Sequence, residues 1–111
     1  MNEIQQKTIL IVEDDPQNLK LFRDILQYKG YTTITATDGQ QGVILAKEHQ
    51  PDLILMDMQL PVMDGIAATQ EIKRDAATKN IAVVALTANV MPGDREKMMA
   101  AGCQDYISKP D

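Results

Sequence analysis

The sequence predicts an α/β fold in which helices cover both faces of a five-stranded parallel sheet. Five short apolar runs recur at regular intervals, segments with helical periodicity separate them, and Gly or Pro stands at most junctions. Strands that alternate with helices form parallel sheets with right-handed crossovers. For a chain of 111 residues we expect one doubly wound domain spanning residues 1–111, with strand order 2-1-3-4-5.

The sequence predicts five strands, and the third is apolar enough to be buried on both faces, as parallel strands usually are. Their ranges are Thr8–Val12, Tyr31–Ala36, Leu53–Met56, Ile81–Leu86 and Tyr106–Ile107. The third strand is the most informative, because Asp57 follows it directly. A carboxylate in that position would lie at the edge of the sheet where open α/β folds bind ligands.

Cap residues delimit the first helix. Asp15-Pro16 predicts an N-cap followed by proline at the first helical position, and Gly30 ends the helix. Four apolar residues at helical spacing form the face expected to pack on the sheet: Leu19, Phe22, Ile25 and Leu26.

The second helix has equally clear limits. It would begin after Asp38-Gly39 and end at Gln50-Pro51, because the residue before a proline avoids the helical conformation. Glycine inside a helix is unfavourable. Gly42 therefore indicates that this helix approaches the sheet closely.

Glycine and proline also mark the last two helices. Gly65 opens the third helix, whose predicted inward residues are Ile66, Thr69 and Ile72. Pro92 would open the fourth helix, and Gly102 would end it in the left-handed conformation.

The composition is that of a soluble cytoplasmic domain. Hydrophobic residues make up 44% of the chain, enough for a packed core, and the net charge of -5 argues against a nucleic-acid surface. No segment resembles a signal peptide or is long enough to span a bilayer. The single Cys103 cannot form an internal disulfide and is expected to be a small core residue.

Polar side chains follow four of the predicted strands. Glu13 and Asp14 follow the first strand, Asp57 the third, Thr87 the fourth and Lys109 the fifth. Because the carboxyl ends of parallel strands meet at one edge of the sheet, we expect these five side chains to share one crevice.

Such a cluster predicts a bound cation. Neighbouring carboxylates destabilise one another's charged forms unless positive charge intervenes. Mg²⁺ suits a few carboxylates and a phosphate, because it prefers oxygen ligands and retains several waters. An aspartate such as Asp57, beside Mg²⁺ and Lys109, is a suitable acceptor for a phosphoryl group, whose transfer depends mainly on charge neutralisation and positioning.

Along essentially its whole length the chain resembles the receiver domains of two-component response regulators. The resemblance rests on Ile9–Asp14, Leu53–Gly65, Ala85–Ala88 and Ala101–Pro110. It implies a flavodoxin-like phosphorelay domain that catalyses its own phosphorylation and dephosphorylation but is not a metabolic enzyme. It also implies as partners a sensor histidine kinase or histidine phosphotransfer protein and a downstream protein. Direct binding of nucleic acid or membrane is not implied.

The resemblance assigns roles around the metal. Asp57 would accept the phosphoryl group and, with Asp14 and the backbone carbonyl of Gln59, bind Mg²⁺. Glu13 would act on the metal through water. The family more often has aspartate at that position, so Glu13 is a departure from its pattern.

Further roles concern the phosphoryl group and the switch. Thr87 would donate a hydrogen bond to one phosphoryl oxygen, and Lys109 would pair with another. A cis bond is implied between Lys109 and Pro110. Thr87 and Tyr106 would form the switch: Thr87 moves toward the phosphoryl group, and Tyr106 turns into the released space.

The chain ends at Asp111, whereas the family continues into a fifth helix. We therefore expect a C-terminally truncated receiver domain or the receiver portion of a longer protein. Apolar surface on the first and fifth strands should then be exposed, which would favour dimerisation.

Two alternatives remain open at this stage. A non-phosphorylated pseudo-receiver would be an interaction module and would be expected to lack Asp14, Thr87 or Lys109, all of which are present. A haloacid-dehalogenase-like phosphatase would use Asp57 as a nucleophile, but such enzymes usually carry a second aspartate at the position of Gln59.

Overall fold

The computed structural model of the chain shows five parallel strands in one sheet, in the order β2-β1-β3-β4-β5. The structure describes residues 7–60, 62–88 and 92–109. The strands are β1 (Thr8–Val12), β2 (Thr32–Ala36), β3 (Leu53–Asp57), β4 (Ala82–Thr87) and β5 (Asp105–Ser108). The predicted fold class and strand order are confirmed.

Each pair of consecutive strands is connected through a helix. The helices are α1 (Pro16–Tyr28), α2 (Gly39–His49), α3 (Gly65–Arg74) and α4 (Asp94–Ala101). Asp15, Asp38 and Asp64 cap the first three helices, since each side chain accepts a backbone N–H from the first turn. None of the helices within the described residues is long and apolar enough to cross a membrane.

Several predicted boundaries were wrong by one or two residues. Strands β3, β4 and β5 each end one residue later than predicted, and β5 also begins one residue earlier. Tyr31 lies outside β2 because its N–H donates to the carbonyl of Leu26 in α1. Ile81 lies outside β4 because its N–H donates to Thr78. Helix α4 begins at Asp94, two residues after the proline expected to open it, because its N-cap Gly93 has a left-handed φ of 92°.

Alternate residues of the sheet contribute to two apolar cores, as the period of a strand requires. The larger core packs against α2, α3 and α4, and its buried strand residues include Leu10, Val12, Ile54, Met56 and Val83. The smaller core packs against α1 and consists of Ile9, Ile11, Leu55 and Leu86. Cys103 is free and buried in the larger core, which confirms the interpretation of it as a core residue.

Gly42 brings α2 close to the sheet, as predicted. A Cβ at this position would lie 2.9 Å from Cγ2 of Val12 in β1. Gly102 has a φ of 113° and ends α4 in the left-handed conformation, which was also predicted.

The face of the sheet that packs against α1 differs from expectation in two places. Ile25 was assigned to the inward face of α1, but it is 45% exposed. Apolar surface on β1 was expected to be exposed, but Ile9 and Ile11 are buried and pack with residues of α1. The expectation holds for β5, whose Ile107 is 45% exposed. Helix α1 contacts β1 and β2, so the opposite edge of this face lies away from it.

Candidate functional site

Five predicted site residues lie at the carboxyl end of the sheet. Glu13 and Asp14 directly follow β1, Asp57 ends β3, Thr87 ends β4 and Lys109 directly follows β5. The strand register aligns these ends, since Asp57 is opposite Leu86 and Thr87 is opposite Ser108. The predicted convergence is confirmed for Glu13, Asp57 and Lys109, whose side chains are in direct contact.

Asp57 is 1% exposed and is held through both carboxylate oxygens. Its Oδ2 accepts a hydrogen bond from Lys109 Nζ at 2.8 Å. Its Oδ1 accepts one from the backbone N–H of Gln59 at 3.0 Å. The two contacts fix the orientation of a carboxylate that burial would otherwise destabilise.

Lys109 connects Asp57 to Glu13. Its Nζ lies 3.1 Å from Oε1 of Glu13 and donates to Oε2 at 3.3 Å. Burial lowers the pKa of Lys109, but the hydrogen bonds and charges of Asp57 and Glu13 outweigh that effect and hold the pKa above its ordinary value. The ammonium is therefore charged at neutral pH. The N–H of Lys109 donates to the carbonyl of Thr87 at 2.8 Å, which ties its backbone to the end of β4.

Glu13 is fully buried and incompletely satisfied. Its Oε2 accepts the N–H of Asp15 at 3.1 Å. Its Oε1 has no hydrogen-bond partner among the described residues, although it lies near Lys109. Burial is the main reason that the pKa of Glu13 is raised, and neighbouring Asp57 raises it further, while hydrogen bonds from Asp15 and Lys109 oppose the change.

These features fit a hard divalent cation. Glu13, Asp14 and Asp57 each offer a carboxylate oxygen, and the three oxygens lie within 4.8 Å of one another. Asp14 is exposed, whereas the other two are buried, so the cluster opens to solvent on the side of Asp14. A cation there would offset the burial of two carboxylates and bring a second positive charge, after that of Lys109, to Oε1 of Glu13.

The predicted switch residues lie on neighbouring strands. Thr87 is buried at the end of β4, and Tyr106 in β5 is opposite Ala85, two residues earlier in β4. Tyr106 is half-buried and packs against the larger core. The predicted cis bond involves Pro110, which is outside the described residues.

A cleft of about 200 Å³ lies beside the site and was not predicted from the sequence. Its lining residues come from the segment after β3, from α3, from the end of β4 and from α4: Met58, Gln59, Ile66, Thr87, Asp94, Lys97 and Met98. The contact of the Gln59 N–H with Asp57 was also missed. A backbone donor leaves no signal in residue type, and the cleft depends on how α3 and α4 pack.

Comparisons with known proteins agree with this geometry. A family model described as the response regulator receiver domain matches residues 9–111. The polar-differentiation response regulator DivK of Brucella anthropi is 48% identical over 104 residues, which cover 94% of this chain and 85% of that protein.

Solved structures show the same similarity. The receiver domain of the sensor histidine kinase PA1611 from Pseudomonas aeruginosa matches with a TM-score of 0.88 and 41% sequence identity. The match covers 96% of this chain and 88% of the PA1611 chain. That structure has a magnesium ion coordinated in its active site cleft. The chemotaxis protein CheY4 of Vibrio cholerae has a TM-score of 0.91 and 25% identity, over 96% of this chain and 89% of its own. With its strand order and acidic edge, the chain belongs to the receiver-domain family of two-component response regulators.

Proposed function

We propose that Asp57 is the phosphoacceptor of this receiver domain. The observation that carries the proposal is the contact of its buried carboxylate with Lys109 on one oxygen and with the Gln59 N–H on the other. The carboxylate is thereby held in one orientation beside a cation, at an edge of the sheet that opens to solvent through Asp14.

The side chains present suit phosphoryl transfer. A carboxylate oxygen of Asp57 attacks phosphorus and forms an acyl phosphate, and the leaving group departs from the opposite side. A carboxylate nucleophile needs no general base, because its attacking oxygen carries no proton that must be removed. Lys109 compensates the negative charge on the transferred group, and the Thr87 hydroxyl donates to one of its oxygens.

Mg²⁺ is the metal that this oxygen-rich cluster would hold. Asp14, Asp57 and the carbonyl of Gln59 would bind it, and Glu13 would act through water. Two features support this assignment: the clustered carboxylates, and the buried Oε1 of Glu13, which accepts no hydrogen bond from the described residues. The metal would supply positive charge for the transferred phosphoryl oxygens.

A phosphohistidine on a sensor kinase or phosphotransfer protein is the proposed donor. The proposed output is a change at the surface formed by α4 and β5, where Thr87 and Tyr106 connect the phosphoryl group to a downstream protein. Phosphorylation adds about -1.5 to -2 charges at Asp57, which is enough to reorganise a hydroxyl and an aromatic ring nearby.

The proposal is tested with acetyl phosphate, a donor that needs no kinase. In the presence of Mg²⁺, intact-mass measurement should show addition of one phosphoryl group. Addition should be absent from Asp57→Asn and from the wild type in EDTA.

Asp15→Asn is the matched control. Asp15 is an acidic residue next to the cluster, and its side chain caps α1. This variant should be phosphorylated like the wild type, since asparagine also caps helices. A wild-type chain that gains no phosphoryl group would favour the pseudo-receiver alternative.

A further inference from the structure

The first residue of α2 lies directly against the segment that follows the phosphoacceptor. Gly39 is buried, and a Cβ at this position would overlap the carbonyl oxygen of Met63 and lie 2.8 Å from its carbonyl carbon. Real Cβ atoms essentially never approach other atoms within 3.0 Å. Because both obstructing atoms belong to the backbone, no side-chain rotation relieves the overlap.

Backbone conformation does not explain this glycine. The glycines with left-handed φ in the described part of the chain are Gly30, Gly93 and Gly102. Gly39 is not among them, so an alanine there would meet no penalty from φ. Space for the Met63 carbonyl is therefore the reason that this position takes no side chain.

Met63 belongs to a tight turn, residues 62–65, that returns the chain from Asp57 to α3. The turn begins with Val62, which has a φ of 69° and is 77% exposed. A β-branched residue in the left-handed region is strained and persists only where surrounding structure imposes it. The backbone of Met63, the next residue, lies against Gly39.

The other end of this turn, at Gly65, lies against the backbone of the phosphoacceptor segment. A Cβ at Gly65 would overlap the carbonyl oxygen of Asp57 and lie 2.7 Å from Cα of Met58. Gly65 also donates its N–H to the carbonyl of Met58 at 3.4 Å. The same turn therefore contacts Gly39 through Met63, and the backbone of Asp57 and Met58 through Gly65.

We propose that Gly39 is a positioning residue for the metal and phosphoryl site. By leaving room for the Met63 carbonyl, it lets the turn hold the backbone of Asp57 and Gln59 in the arrangement that binds Mg²⁺. The inference rests on the proposed function, and it extends the site to the start of α2, which supplies none of the residues assigned to the metal or the phosphoryl group.

Gly39→Ala tests this, and Gly42→Ala is the matched control. Both substitutions add one methyl group at a buried position of α2. The methyl at position 42 meets the side chain of Val12 in the core, whereas the methyl at position 39 meets the turn. We would measure the Mg²⁺ dissociation constant by calorimetry, the backbone amide shift of Gln59 by NMR without Mg²⁺, and unfolding by urea.

Gly39→Ala should weaken Mg²⁺ binding about tenfold or more, as loss of a supporting contact around a metal site usually does. It should also shift the Gln59 amide signal in the metal-free protein. Gly42→Ala should lower the urea midpoint yet leave both the Mg²⁺ dissociation constant and the Gln59 signal near those of the wild type.

Two results would overturn the proposal. One is a Gly39→Ala protein that loses stability but keeps wild-type Mg²⁺ affinity and Gln59 shift. The other is equal weakening of Mg²⁺ binding by both substitutions, which would indicate general loosening. If Gly39→Ala does not fold, all three proteins would be compared in trimethylamine N-oxide, which favours compact states. Failure to fold there as well would make Gly39 a folding residue and also overturn the proposal.

Measurements of Mg²⁺ binding and phosphorylation on the wild type distinguish failure of this inference from failure of the proposed function. A wild-type chain that binds no Mg²⁺ and gains no phosphoryl group contradicts the proposed function. A wild-type chain that does both, with Gly39→Ala indistinguishable from it, contradicts only the role of Gly39.

Discussion

The ammonium of Lys109 lies 2.8 Å from Oδ2 of Asp57, across 52 residues of sequence, and both side chains are largely buried. The same ammonium contacts Glu13. One cation thus faces two buried carboxylates, a charge imbalance that a folded core does not favour unless a further cation joins it. This relationship underlies the metal-dependent account of the site.

Replacing Lys109 with methionine should destabilise the metal-free protein strongly. Removal of one partner from a buried ion pair costs about 3–5 kcal/mol, because the remaining charge is left uncompensated. Mg²⁺ should restore part of this loss, since it brings positive charge to the same carboxylates. Urea unfolding with and without Mg²⁺ measures both effects.

Lys20→Met provides the comparison for that measurement. Lys20 pairs with Asp24 at 2.7 Å on the exposed surface of α1. Such an exposed pair contributes little to stability, because solvent screens it. Two results would show that the buried cluster has no special electrostatic role. One is an equal loss of unfolding free energy in Lys20→Met and Lys109→Met, and the other is a Lys109→Met protein whose stability does not change with Mg²⁺.

Thr87 should matter through its hydroxyl. Thr87→Val keeps the shape of the side chain at the end of β4 but cannot donate to a phosphoryl oxygen. A hydrogen bond to a charged group contributes about 1.5–3 kcal/mol, so phosphorylation by acetyl phosphate should slow by about tenfold or more. Thr87→Ser should retain most of the rate, whereas equal rates for the valine variant and the wild type would exclude the hydroxyl from the reaction.

Tyr106 offers a fluorescence readout of the switch. The chain has three tyrosines and no tryptophan, so a Tyr28→Phe/Tyr31→Phe protein would have Tyr106 as its sole fluorophore. Tyr106 is now half-buried, and phosphorylation should turn it further inward and reduce its quenching by acrylamide. The reduction should be absent when Thr87→Val is added. Unchanged quenching in the parent protein would contradict the predicted movement.

Asp75 predicts a pH effect away from the site. The pKa of Asp75 is held below the ordinary aspartate value of 3.8. The main cause is the hydrogen bond from the N–H of Ala77, and the second is Lys47, whose ammonium lies 2.9 Å away. A lowered pKa means that the ionised carboxylate stabilises the fold above pH 3.8, and that this contribution is lost as pH falls through the pKa of the folded state.

The comparison for this effect is Asp75→Asn. Urea unfolding should show the wild type to be more stable than the variant at pH values above that window. The difference should shrink as the pH is lowered through it. A difference that stays constant with pH would mean that the charge of Asp75 contributes nothing.

Sequence patterns were sufficient for the order of elements and for most of the site. Asp57 follows an unbroken apolar strand, and the parallel topology alone places it beside the residues that follow the other strands. Helix caps such as Asp15 could also be predicted, because the sequence signal for a cap lies within a few residues. The roles of Thr87 and Tyr106 came only from family resemblance, since a threonine and a tyrosine near strand ends carry no chemical signal of their own.

Contacts between distant backbone segments could not be predicted from sequence patterns. The glycine at position 39 reads as an ordinary turn residue, and its overlap with the Met63 carbonyl appears only once α2 and the turn are packed. The outward direction of Ile25 was missed because periodicity identifies an apolar stripe but not its rotation relative to the sheet. The lack of a hydrogen bond to Glu13 Oε1 within the described part of the chain likewise depends on three-dimensional packing.

The most direct test of the central claim is to locate the phosphoryl group. Protein treated with acetyl phosphate and Mg²⁺ would be reduced with borohydride, which converts an aspartyl phosphate to homoserine, and the peptides would be sequenced by mass spectrometry. If Asp57 is the phosphoacceptor, homoserine is expected at position 57 and aspartate is retained at position 14. Homoserine at position 14, or at neither position in a protein that has gained a phosphoryl group, would contradict it.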